Sequence, residues 1–258
     1  AHHALHPQAR AHVLRRLSRA GITRMRSVAT HHVLTERGNL PVVSTDAPQR
    51  GADARSGLPW VVFVPSIFGV APDLRVQMAE LGDHAQVLAV DPFHHAGGGP
   101  LPYTDFAQAV VRLQQTDLPG FHAELVALLS VLTPQAPVIG VGICFGGPFV
   151  VRAAGAGLLA GVVTWHGSRL ETQLDALRSL AERGVPARLH FGDTDAFVPM
   201  STVDTVRAAL GDRASESVVV HPGADHGFSH RSGPKYQAVA ERAGLNAVLD
   251  LVRSCTPR

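Results

Sequence analysis

Three short stretches of this chain carry residue types that can make or break an acyl bond. Residues 142–147 read Gly-Ile-Cys-Phe-Gly-Gly, with a glycine two positions before Cys144 and another two positions after it. Residues 192–199 read Gly-Asp-Thr-Asp-Ala-Phe-Val-Pro, and residues 221–228 read His-Pro-Gly-Ala-Asp-His-Gly-Phe. A thiol, a carboxylate and an imidazole are the parts of a nucleophile, an orienting acid and a general base. The thiolate is the attacking species, so Cys144 needs a base or a favourable dipole beside it. A place at the N-terminus of a helix would supply the dipole.

The segments around Cys144 predict such a place. Residues 137–141 are a short apolar run of the buried-strand type, and a helix-compatible, Ala-rich segment resumes at 148–156. Between them the backbone must turn sharply, and a Cβ two residues from the central nucleophile would strike the neighbouring strand or helix. Gly140, Gly142 and Gly146 also resemble a dinucleotide-binding fingerprint. That fingerprint needs an acidic residue about 20 positions further on to hold a ribose, and residues 158–168 contain no Asp or Glu. A buried structural cysteine in a Gly-rich turn is the other plain reading.

Along the chain, strand and helix patterns alternate. A hairpin is expected over 30–45, around Arg-Gly-Asn, followed by a polar loop over 46–59. Strands are expected at 60–65, 87–90, 137–141, 161–165, 187–191 and 217–220. Helices are expected at 72–81, 104–115, 121–132, 148–156, 170–183, 201–210 and 235–252. Near-continuous apolar strands separated by helices imply an α/β fold, a mostly parallel sheet with helices on both faces. In such a sheet, function collects at the carboxyl ends of the strands. Cys144, the 192–199 loop and the 221–228 loop each follow a strand, in the chain order nucleophile, acid, histidine. Within those loops the spacing points to Asp195, with Asp193 as a turn former. His226, in a loop, is preferred to His221, which directly follows its strand.

These motifs resemble the dienelactone hydrolase family of the α/β-hydrolase fold. The features that carry the likeness are Ile-Phe-Gly-Val at 67–70, the cysteine elbow at 142–147, His-Gly at 166–167, the 192–199 loop and Asp-His-Gly-Phe at 225–228. The resemblance implies a Cys144–His226–Asp195 triad and a thioester intermediate. It also implies an oxyanion hole from the backbone N–H groups of Ile67 and Phe145, and no metal or organic cofactor. Family enzymes that open dienelactone carry a Glu just before the oxyanion-hole residue; Ser66 stands there in this chain. They hold the substrate carboxylate with two arginines, and His95 and His230 occupy the corresponding positions. Histidine is mostly neutral at pH 7 and lacks the fork of Arg, so a less anionic ester or lactone is expected. Ser66, His94, His95, His166 and His230 are accordingly the expected substrate-binding residues, with Tyr103 and Phe106 as a roof. Metal binding by His94, His95 and His230 is disfavoured because adjacent side chains on an extended strand diverge.

Composition narrows the classes further. A net charge of +2, with 45% hydrophobic and 17% charged residues, gives no case for nucleic-acid attraction. No apolar run approaches a membrane span. The two cysteines build no disulfide framework, which fits a reducing, cytoplasmic setting. Residues 1–27 are expected to be a basic N-terminal extension, and 28–258 one α/β-hydrolase domain. The expected partner is a small-molecule ester or lactone; nothing in the sequence specifies an oligomeric state. The competing classes are a non-catalytic ligand-binding descendant of the fold and an acyl-transfer enzyme using the same thiol.

Overall fold

The computed structural model describes residues 28–35, 37–45 and 57–256; the basic segment 1–27 and most of the polar loop 46–59 lie outside them. Eight strands form one sheet: β1 (Val28–Thr35), β2 (Gly38–Thr45), β3 (Trp60–Val64), β4 (Gln86–Val90), β5 (Val138–Ile143), β6 (Gly161–Trp165), β7 (Ala187–Gly192) and β8 (Val218–His221), in the order β1-β2-β4-β3-β5-β6-β7-β8. β1 and β2 pair antiparallel, as does β2 with β4, whereas β3 through β8 run parallel. The hairpin closes where Thr35 faces Gly38, and Gly38 holds φ at 119°, a conformation that favours glycine.

Parallel strands need crossovers, and helices supply them. These are α1 (Pro72–Leu81), α2 (Phe106–Gln114), α3 (Leu118–Leu132), α4 (Gly147–Gly155), α5 (Leu174–Glu182), α6 (Met200–Leu210), α7 (Ala214–Ser217) and α8 (Ala238–Cys255). Alternate side chains of each strand feed two cores. Val62, Val64, Leu88 and Leu189 join Leu125, Leu128, Val150 and Val203 on the face covered by α3 to α6. Val61, Phe63, Val141 and Trp165 join Leu74, Met78, Leu245 and Val248 on the face covered by α1 and α8. Burying one such side chain is worth about 1.5–3 kcal/mol, so both layers hold the sheet rigid beneath the loops at its carboxyl edge.

The chain differs from the sequence pattern after β4. Residues beyond Val90 do not prolong the strand: His94–Ala96 form a 3-10 turn. Phe93 N–H and Gly99 N–H are held by the Asp91 carboxylate at 2.9 and 2.8 Å, which curls the segment back on itself. Trp165, at the end of β6, is fully buried in the core against Phe63. Among the described residues, no helix is long and apolar enough to cross a membrane.

Candidate active site

Cys144 occupies the turn between β5 and α4 with φ at 51°, in the left-handed region. A non-glycine residue there costs on the order of 1–3 kcal/mol and persists only where its surroundings enforce it. The enforcement is steric. A Cβ on Gly146 would sit 2.0 Å from the Val64 carbonyl oxygen, and one on Gly142 would sit 2.7 Å from the Gly146 oxygen. The two glycines thus let β3, β5 and the first turn of α4 close around the cysteine. The Cys144 carbonyl accepts from Ser168 N–H at 3.1 Å, which anchors the turn to the segment after β6.

The sulfur lies 3.0 Å from His226 Nε2, and His226 Nδ1 lies 2.7 Å from Asp195 Oδ2. Asp195 is buried, and its other oxygen accepts from the N–H groups of Phe197 and Val198 at 2.8 and 3.0 Å. With that oxygen taken by two amides, the carboxylate oxygen facing the ring accepts. His226 Nδ1 therefore carries its hydrogen, and Nε2 faces the thiol. Burial opposes charge on both members of the pair, but each stabilises the other's ion. The Cys144 thiol is lowered by the His226 charge and hydrogen bond. Against its own burial, His226 is raised to about 10 by the Cys144 charge and by its bond to Asp195. The arrangement can hold a thiolate–imidazolium pair and pass a proton between sulfur and nitrogen.

The neighbouring candidates are engaged elsewhere. Asp193 accepts from Gly223 N–H at 2.6 Å and ties the two loops together. His221 bonds to His190 at 2.9 Å between β7 and β8.

The Phe145 backbone amide also lowers the Cys144 thiol, and Ile67 lines the same cavity. Arg112, on α2, was not singled out by any sequence signal. Its guanidinium donates to the Ile67 carbonyl at 2.8 Å and the Gly99 carbonyl at 2.7 Å, and sits 4.3 Å over the Phe93 ring. It fixes the Ile67 peptide from behind. Ser168 Oγ, 3.9 Å from the sulfur, was also missed.

A cavity of about 860 Å³ opens over Cys144. Its walls are mainly apolar, including Phe68, Val110, Leu113 and Phe149, with Phe106 and Phe197 exposed at the mouth. Of the five expected substrate-binding residues, His230 lines it. Its ring stacks on Tyr103 at 4.1 Å, and Tyr103 donates to Asp73 at 2.6 Å. Burial depresses His230 to about 3, against the pull of Asp73, so the ring is neutral at pH 7. The other four do not line the cavity. Ser66 is buried and its hydroxyl accepts from Phe68 N–H at 3.4 Å, across the Ser66–Phe68 turn. His166 is fully buried beneath His226, ring centroids 4.9 Å apart, with Nε2 bonded to Ser229 Oγ at 2.8 Å; burial holds it well below its usual range. His94 and His95 turn toward Glu124 on α3, because the 3-10 turn points them off the strand direction.

Among the described residues, two groups bring potential metal ligands within 4.8 Å of one another: Cys144 with His166 and His226, and His94 with His95 and Glu124. In the first, both nitrogens of His226 are already engaged by sulfur and carboxylate, which suits proton transfer.

The profile of the dienelactone hydrolase family matches residues 51–256. The carboxymethylenebutenolidase of Pseudomonas putida is 27% identical over 212 residues, covering 78% of this chain and 88% of that protein. Among solved structures, a dienelactone hydrolase-like promiscuous phosphotriesterase from metagenomic libraries superposes with a TM-score of 0.70 at 20% identity, over 90% of this chain and 99% of the other. The dienelactone hydrolase of Anabaena variabilis gives a TM-score of 0.59 at 16% identity, over 91% and 100%. At these identities the two structures speak to the fold alone, an α/β-hydrolase sheet.

Proposed function

The chain belongs to the dienelactone hydrolase family, and from that premise we propose that it hydrolyses a carboxylic ester or lactone with Cys144 as nucleophile. The observation that carries this reading is the continuous line of hydrogen bonds from sulfur through His226 to Asp195, at 3.0 and 2.7 Å. The Cys144 thiolate attacks the carbonyl carbon, and the developing oxyanion is met by the N–H groups of Phe145 and Ile67. His226 Nε2 gives its proton to the departing alkoxide as the carbon–oxygen bond breaks, leaving a thioester on Cys144. The now neutral His226 takes a proton from water, the hydroxide attacks the thioester, and the thiolate leaves with the carboxylic acid formed. Asp195 stabilises the imidazolium throughout.

The substrate reading follows from charge. Ser66 cannot serve as the base that a Glu provides in family enzymes that open dienelactone, so the thiolate pair stands without a substrate-gated switch. Of the histidines expected to bind substrate, His230, kept neutral by burial, is the one that lines the cavity, whose walls are mainly apolar. A neutral or weakly anionic ester fits the apolar walls better than dienelactone, whose carboxylate would meet histidine and not arginine at position 230; the cations that line the cavity are Arg152, Arg169 and Lys235.

Steady-state hydrolysis of p-nitrophenyl esters, with iodoacetamide labelling in parallel, tests the reading. Labelling one thiol should abolish turnover, and Cys144→Ala should lower kcat/KM by about 10³-fold or more. A chain that binds such esters without turning them over, with Cys144 alkylated no faster than a free thiol, would instead be a ligand-binding descendant of the fold. For the substrate, neutral esters should exceed dienelactone in kcat/KM, and His230→Arg should narrow the gap. Dienelactone turnover equal to that of the neutral esters would overturn this preference.

A further inference from the structure

The second cluster of candidate ligands lies outside the catalytic cavity, and its polar atoms are poorly accounted for. Glu124 is 2% exposed, and neither of its carboxylate oxygens has a hydrogen-bond partner. Burying an unpaired carboxylate in this way is strongly unfavourable. What faces it is a pair of imidazoles: His94 Nε2 and His95 Nε2 each lie 3.4 Å from Glu124 Oε1. His94 Nδ1 is 2.9 Å from the Asp91 carbonyl oxygen, which can only accept, so that nitrogen carries the hydrogen. In the neutral ring, Nε2 then presents a lone pair to a carboxylate. Two acceptors face each other across a buried gap, and a cation between them resolves the conflict.

A proton is the simplest cation, but a charge-assisted N–H···O bond closes to about 2.7–2.9 Å, shorter than either contact. A tetrahedral ion with bonds of about 2.0–2.1 Å sets neighbouring ligand atoms about 3.3–3.4 Å apart, which is the separation seen. The backbone carbonyl on the far nitrogen of His94 is the usual device that orients a metal-binding imidazole. The divergence expected of adjacent histidines disappears because they sit on a 3-10 turn, with ring centroids 3.9 Å apart. His230 takes no part; it stacks on Tyr103 in the cavity wall.

We propose that His94, His95 and Glu124 hold a divalent transition-metal ion of the zinc type, which clamps the turn after β4 to α3. Two imidazoles and a carboxylate suit such ions. His95, whose side chain is 53% exposed, gives the ion a path from solvent, and water completes its coordination. The clamp adjoins Phe93, whose ring packs 5.5 Å from that of Phe145, so it steadies the segment behind the elbow without touching substrate.

The test uses the whole chain, freed of metal by chelator and dialysis, then titrated with Zn²⁺ against a chromophoric chelator. Wild type should take up one Zn²⁺ per chain more than His95→Ala, and binding by other histidines cancels in that difference. Glu124→Gln should weaken this site by at least about 100-fold; should that variant fail to fold, the half-exposed His95 position carries the comparison. Zn²⁺ should raise the melting temperature of wild type and of Cys144→Ala but not that of His95→Ala. Equal uptake by wild type and His95→Ala overturns the proposal. So does loss of the extra ion in Cys144→Ala, which would move it to the catalytic thiol.

Discussion

Cys144 and His226 titrate as a pair, and this sets how activity should vary with pH. Burial disfavours both charges, yet the mutual attraction lowers the thiol and raises the imidazole to about 10. An ordinary thiol gains reactivity about tenfold per pH unit up to a pKa near 8.5. Alkylation of Cys144 should instead rise less steeply than that between about pH 7 and 9. Ester hydrolysis needs the imidazolium proton for the leaving group, so it should fall as pH rises through about 10. Asp195→Asn removes a charge and a hydrogen bond that raise His226, and the alkaline limb should move to lower pH. Stopped-flow alkylation and pH–rate profiles check both; an unmoved limb in Asp195→Asn would exclude the electrostatic part given to Asp195. At this scale the sequence was informative wherever loop spacing separated two like residues. His226 reaches the sulfur and Asp195 reaches His226, whereas Asp193 and His221 hold the loops that carry them.

At the scale of elements, the elbow is a packing problem between β3, β5 and α4. The Gly146 position abuts backbone, the Val64 oxygen at 2.0 Å from an added Cβ, and backbone has little room to give. Gly146→Ala should therefore destabilise at or above the upper end of the about 1–3 kcal/mol range for overpacking, read as a lower urea midpoint. Arg112 joins α2 to the turn after β3 through the Ile67 carbonyl. Arg112→Met should lower kcat by about tenfold, less than the 10²–10³ of removing an oxyanion donor outright, with KM little changed. Arg112→Lys should recover part of the loss; a drop confined to KM would mean Arg112 shapes substrate binding and does not position Ile67. Nothing in the pattern of α2 announces this role, because a buried Arg and a surface Arg are the same letter in a helix.

At the scale of the molecule, burial keeps several histidines neutral. His190 and His230 are depressed to about 3 and His166 well below its usual range, each chiefly by desolvation. Their unfolded counterparts titrate near 6.5, so below that pH the unfolded chain binds more protons and stability falls as pH drops. Each such histidine contributes up to about 1.4 kcal/mol per pH unit across that window. The melting temperature should decline already between pH 6.5 and 4.5, before the carboxylates titrate; a flat profile there would contradict the neutral assignment. His226, raised to about 10, is protonated in the folded state throughout this window and adds only a small opposite slope near pH 6.5, which vanishes as its unfolded counterpart protonates.

Apolar periodicity and glycine placement sufficed for the alternation of strands and helices, the elbow around Cys144 and the placing of Cys144, Asp195 and His226 after successive strands, because these depend on neighbours within a few residues. The sequence also marked Ser66, His95 and His230 as departures from the residues the resemblance implies, since residue type is read directly, whereas the neutrality of His230 comes from its burial. What tertiary structure decided was direction. It turned His94 and His95 from the cavity toward Glu124, buried Trp165 and His166, and set Arg112 behind Ile67. Each of those outcomes depends on which elements pack side by side, and local pattern carries no record of partners distant along the chain.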